Sequence, residues 1–206
     1  MIRFARANAV AVTLLLSTAA SAQMGDVVAL KDHDGLVIVW NRTEPFFKTR
    51  VAALLASGYS DGRALFMIDG VVLQLNSIEA RAFRRNAAAD VEATLRAHRD
   101  WELKGMRKTL GAGSTVESWP DRLADGTPVL YWELTPEQQI PGRPSKHMMV
   151  TRFHEGNVIC ATSVEGGAVT NEKARGLVFE AISHLEFSKN AIDLPRLQQE
   201  LARAGR

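Results

Sequence analysis

The sequence predicts an α+β domain in which an antiparallel sheet is covered by helices, and three observations carry that prediction. Turn dipeptides sit between β-rich segments at three places, helical apolar periodicity appears twice in long uninterrupted stretches, and no linker, repeat or low-complexity tract divides the chain. The hairpins come first. Segments 27–31 and 36–40 flank Asp34-Gly35, 65–68 and 71–75 flank Asp69-Gly70, and 148–153 and 158–164 flank Glu155-Gly156-Asn157. Asp-Gly and Gly-Asn tolerate the positive φ of tight primed turns, so each pair is read as antiparallel. Two further strands, 114–118 and 129–134, are separated by 120–126 and extend the second half into a meander.

Helices fill the gaps. A short helix is expected over 45–56, with Thr43 as a cap and Gly58 at its stop. The strongest helical pattern covers 87–110, where Val91, Leu95, Met106 and Leu110 share one side and Gly111 ends the run. Over 171–185, Ala174, Leu177, Val178, Ala181, Ile182 and Leu185 recur at helical spacing, a stripe that has to pack on a sheet. The tail 194–204 repeats Leu194, Leu197 and Leu201 and reads as a short amphipathic helix or a frayed end.

The first 22 residues read as an export signal: Arg3 and Arg6 precede the apolar run 9–16, and Ala20-Ser21-Ala22 supplies a small-residue cleavage site before Gln23. That run is shorter than the ~20 apolar residues a bilayer span requires. The reading is therefore a signal peptide at 1–22 and one α+β domain at 23–206, divided into an N-terminal hairpin and short helix (23–62), a core (63–187) and a C-terminal tail (188–206), in a periplasmic or secreted protein with no transmembrane segment in the mature chain. The full chain has 25 Lys plus Arg against 23 Asp plus Glu, and loss of Arg3 and Arg6 makes it formally neutral. A nucleic-acid partner is not expected from such a balance, and the basic groups at Arg81, Arg84, Arg85 and at Arg96, Arg99, Lys104, Arg107, Lys108 read as solvated helix faces. Cys160 is the single cysteine, so no disulfide forms within the chain. Its place in Val158-Ile159-Cys160-Ala161-Thr162 reads as a core strand and an inert thiol.

The order of elements from Leu65 to Leu185, and above all Lys146-His147-Met148-Met149-Val150-Thr151-Arg152-Phe153 leading through Gly156-Asn157 into Val158-Ile159-Cys160-Ala161-Thr162 and a helix, resembles the PsbP-like αβα sandwich of bacterial exported proteins. What the resemblance implies is a binding or accessory subunit without chemistry of its own. It assigns no binding residue, and the segment before Arg63 has no counterpart in it.

The residues themselves offer few sites. His98 and Glu102 lie four apart on the 87–110 helix, in the stripe of Val91, Leu95 and Met106, where a half-buried imidazole beside a carboxylate is expected to have a raised pKa. The pair reads as a hydrogen-bonded structural contact, with a hydrolase-type acid and base as the alternative. Asp32-His33-Asp34 is turn chemistry before it is a metal site. His147 and His154 are seven apart on one strand and face opposite sides, and Glu180 with His184 lacks the second histidine of a zinc-protease helix. No Gly-x-Ser-x-Gly or phosphate-binding glycine loop is present. Trp40, Trp101, Trp119 and Trp132 are spread over four elements and read as core or rim aromatics, with a carbohydrate platform as the alternative. The loop 136–146 is the expected partner contact, because Pro136, Pro141 and Pro144 stiffen it while Gln138, Gln139, Arg143 and Lys146 present donors.

The first choice is accordingly a non-enzymatic module for a protein partner in the bacterial envelope, without cofactor or metal. A small-ligand-binding protein is the alternative. Intact-mass analysis of exported protein should show Gln23 as the first residue, and a mature species retaining Arg3 would refute the cleavage. Melting curves with and without EDTA should coincide, and a large fall on chelation would implicate Asp32, His33 and Asp34 as ligands.

Overall fold

The computed structural model describes residues 27–53, 56–59, 64–86, 90–166 and 168–204; the expected signal peptide lies outside the described residues. Two antiparallel sheets form. The smaller joins β1 (Val27–Lys31), β2 (Leu36–Trp40), β3 (Phe46–Val51) and β11 (Glu186–Ser188) in that order. The larger has seven strands. Its spatial order is β4 (Ala56–Tyr59), β5 (Ala64–Ile68), β6 (Val71–Glu79), β10 (Asn157–Glu165), β9 (Lys146–His154), β8 (Pro128–Thr135) and β7 (Thr115–Arg122).

Turn chemistry fixes the registers. Asp69 and Gly70 adopt φ of 45° and 81°, Glu155 and Gly156 φ of 43° and 83°, and these two-residue turns pair Ile68 with Val71 and His154 with Asn157. Positive φ at both central positions matches the right-handed twist of the flanking strands. The β1–β2 hairpin closes through Asp32 N–H to the Gly35 carbonyl at 2.9 Å.

The described residues of 45–56 do not form the expected helix. Phe47, Thr49 and Val51 point inward and are buried while Phe46, Lys48 and Arg50 point outward, so a period of two prevails and β3 pairs with β2 from Leu36↔Val51 to Trp40↔Phe47. Trp40 and Phe47 stack as cross-strand neighbours at 5.5 Å. Local signals at Thr43 and Pro45 favour a helix start, but a helix would turn the inward side chains away from the core that the β2 edge offers. Strand β7 also exceeds its expected length and runs through Pro120 to Arg122, which an outer strand tolerates because one side of its ladder has no partner.

Among the described residues three α-helices complete the layers. α1 (Val91–Leu110) starts at Asp90, whose carboxylate accepts from Ala93 N–H at 2.9 Å, and ends at Gly111 with φ of 100°. Its Leu95 and Leu103 pack on Leu130, Trp132, Leu134, Met149, Val158 and Cys160 of the large sheet. α2 (Asn171–Ser183), capped by Thr170, buries the expected stripe from Ala174 to Ile182 between the two sheets. α3 (Leu194–Ala204) sets Leu197 and Leu201 on Val37 and Val39 of the small sheet's outer face. The sequence of layers is thus α3, small sheet, a core containing α2, large sheet, α1.

Asn41 ties α3 down. Its side chain donates to the Ile192 carbonyl and accepts from the Ile192 N–H, both at 2.8 Å. Asn41→Ala should lower stability by ~1–2 kcal/mol, two partly buried hydrogen bonds being lost. Hydrogen exchange should accelerate over 194–204 ahead of the large sheet, and uniform acceleration would contradict a local tether.

Candidate functional site

His98 is sealed in the α1 interface. Its side chain is 0% exposed, neither ring nitrogen has a partner, and Nε2 stands 3.7 Å from Glu102 Oε1, too far for a hydrogen bond. Phe83 packs edge-on against the ring at 5.3 Å, with Trp101 at 6.3 Å. Burial lowers the imidazole to about 4 and raises the Glu102 carboxyl above its ordinary range. The expected hydrogen-bonded pair with a raised histidine pKa is therefore corrected: desolvation outweighs the nearby carboxylate. A neutral ring without contact to solvent cannot reach a substrate. Cys160 lies in the same interface, and burial pushes its thiol up to about 12, which makes the inert reading a physical one.

The other candidate residues are drawn apart by their own partners. Asp32 pairs with Arg50 at 2.6 Å, whereas Asp34 faces His33 Nδ1 at 2.5 Å on the exposed turn. Glu180 accepts from Ala52 N–H at 2.6 Å and His184 Nδ1 lies 3.2 Å from the Arg50 carbonyl, so both bind the end of β3 to α2. His154 stacks on Phe187 at 3.4 Å, on the face shared with Met148 and Val150, while His147 shares the α1 face with Met149. Among the described residues no three His, Cys, Asp or Glu side chains come together as a metal site. No helix among the described residues is long and apolar enough to cross a membrane.

A polar cluster that the sequence reading missed forms where β8, β9 and α2 meet. Glu133, buried on β8, accepts from the Tyr131 hydroxyl, from Lys146 Nζ at 2.6 Å and from Asn171 Nδ2 at 3.4 Å. Burial pushes its carboxyl up, but the three hydrogen bonds outweigh that and hold it below the ordinary carboxylate range. The same contact raises Lys146, and burial together with Glu133 raises the Tyr131 hydroxyl. Aromatic layers continue outward: Trp119 of β7 stacks on Tyr131 at 5.3 Å, and the Arg175 guanidinium lies 4.8 Å from the Tyr131 ring and 5.5 Å from Phe179. The signal was present as Tyr-x-Glu on one face of a strand, but its partners are remote in sequence.

The loop 136–145 is ordered by its own bonds and pinned at both ends. Glu137 accepts from Gly113 N–H at 2.9 Å, and its own N–H donates to the Leu110 carbonyl at 3.3 Å. Ser145 N–H donates to the Glu165 carbonyl at 2.8 Å, and Arg143 N–H to the Ile140 carbonyl at 3.0 Å. Two of the expected contact residues have partners within the protein: Gln139, exposed, donates to the Pro136 and Ser145 carbonyls, and Lys146, half-buried, is the counterion of Glu133. Gln138 and Arg143 are exposed on either side of Ile140, which is 45% exposed.

The sign of the pH dependence follows from His98. An unfolded imidazole takes a proton near 6.5 and the folded one only near 4, so the unfolded state binds more protons in that window and stability falls as pH drops through it. The full loss is at most ~3 kcal/mol, partly offset as Glu102 is neutralised. His98→Leu should keep or raise the melting temperature at neutral pH and flatten the curve between these limits. An unchanged acid slope in the variant would assign the dependence elsewhere.

No family model and no curated protein matches this chain. Among solved structures it is similar to cyanobacterial PsbP (CyanoP) from Synechocystis sp. PCC 6803, with 9% identity and a TM-score of 0.45 over 84% of this chain and 99% of that one. This is the family whose element order the sequence resembles.

Proposed function

We propose that the chain is an exported, non-enzymatic module that binds a protein partner in the bacterial envelope through the loop 136–145. The carrying observation is the loop's construction: Glu137 and Ser145 fix its ends, and Ile140 stands exposed between Gln138 and Arg143. An apolar apex with a polar surround is the pattern of an interface centre, and an ordered loop loses less conformational entropy on docking. The enzyme alternative rests on His98 and Glu102 and loses ground because the imidazole is sealed. The small-ligand alternative rests on a groove of about 310 Å³ beside β11 and α3. Its rim charges already neutralise one another, Lys48 with Glu186 at 3.0 Å and Arg196 with Glu200 at 2.9 Å, so it ranks second.

Replacing 138–143 by a Gly-Ser linker should leave circular dichroism and the melting temperature nearly intact while weakening capture of the partner from envelope extracts. Ile140→Asp alone should reduce capture about tenfold if Ile140 is the interface centre. Unchanged capture by both proteins would exclude the loop.

A further inference from the structure

β7 is one of the two outer strands of the large sheet, and its two faces differ. On the α1 side Ser118 accepts from Arg99 at 2.6 Å and Arg122 reaches Glu92 at 3.7 Å, so the polar groups there are engaged. On the other side stand Glu117, Trp119 and Asp121, successive side chains of one strand face and all exposed. Neither carboxylate makes an ion pair among the described residues; Asp121 accepts only from the Arg122 N–H at 2.8 Å. Trp119 is 42% exposed, with its ring stacked on Tyr131 at 5.3 Å, so the indole is held in place while part of it faces solvent.

We propose that Glu117, Trp119 and Asp121 form a receptor for a Lys or Arg side chain of the partner protein. An indole face is the strongest aromatic site for a cation, and carboxylates two residues away on each side supply the charge that a cation neutralises. On the same face Glu133 and Glu165 balance Lys146 and Arg175, so the acidic surplus around the indole is that of Asp121 and of Glu117, whose charge also acts on Lys146. A neutral sugar also stacks on an exposed indole but leaves those charges uncompensated. Recognition runs through side chains, because Pro120 lacks the N–H that an added strand would need. The inference rests on the partner-binding reading and specifies the chemistry of that partner.

The test uses the mature chain and defined probes: blocked tetra-arginine, blocked tetraglutamate and maltotetraose, titrated while the Trp119 indole N–H resonance is followed, assigned with Trp119→Phe. Tetra-arginine should shift that resonance, tetraglutamate and maltotetraose should not, and binding should weaken as salt rises from roughly 0.05 to 0.5 M. Trp119→Ala should weaken tetra-arginine binding about tenfold, as calorimetry reads it, and Glu117→Gln with Asp121→Asn should remove most of the salt dependence. Equal affinity in Trp119→Ala, no binding of tetra-arginine, or a preference for maltotetraose would overturn the proposal. Failure of the loop reading is seen instead as unchanged partner capture by the loop-replaced protein, so the two failures share neither variant nor readout.

Discussion

A strand with no polar face dictates the layering of this protein. Leu36, Val37, Ile38, Val39 and Trp40 are all buried, so β2 must be covered on both sides. Each such side chain gains ~1.5–3 kcal/mol on leaving water, and exposure of either face would forfeit several of these contributions together. On the inner side the cover is the core shared by α2 and the large sheet. The outer cover is α3, which brings little more than Leu197 and Leu201 and is held in place by Asn41. The C-terminal helix is thus a structural requirement of the second strand of the chain.

Two buried titratable groups illustrate opposite ways of meeting the cost of burial. Glu133 remains charged because Tyr131, Lys146 and Asn171 bring donors to both of its oxygens, and paired charges survive in a region of low polarity. His98 has no such donors or acceptors, so it gives up its proton instead. The contrast separates two residue groups that look equally polar in the sequence. One is a network that locks β8, β9 and α2 together, and the other is a ring held by aromatic packing. A buried imidazole that avoids its charge is poorly suited to acid–base work at a surface.

What was legible in the sequence was local. Asp69-Gly70 and Glu155-Gly156 announced their turns because positive φ is a property of two adjacent residues, and the α2 stripe announced its buried face because 3.6-residue periodicity survives any partner. The 45–56 segment failed for the same reason. Thr43 and Pro45 are local helix signals, whereas the pull that made a strand there comes from pairing with Leu36 to Trp40. Lys146 was singled out as a surface donor, yet its partner Glu133 stands on another strand across a loop, and nothing in the spacing reveals that distance in space. The carbonyls that the exposed Gln139 amide meets in its own loop are equally invisible in the spacing.

The end of the large sheet where β7 and β8 lie is built differently from the rest. α2 covers β10, β9 and β6, and α1 covers β8 and β9, so β7 lies beyond the strands on which the helices chiefly pack. A long open edge invites uncontrolled pairing, and β7 answers with Pro120, Glu117, Asp121 and Arg122. These residues exclude strand addition but leave the Trp119 ring exposed, supported from beneath by Tyr131. Tyr131 in turn packs against Phe179 and Arg175. The loop 136–145 leaves the same end of β8, because Thr135 pairs with Thr115 at the start of β7. Protection of the edge therefore sets charged and aromatic side chains along the outer strand at this end of the sheet.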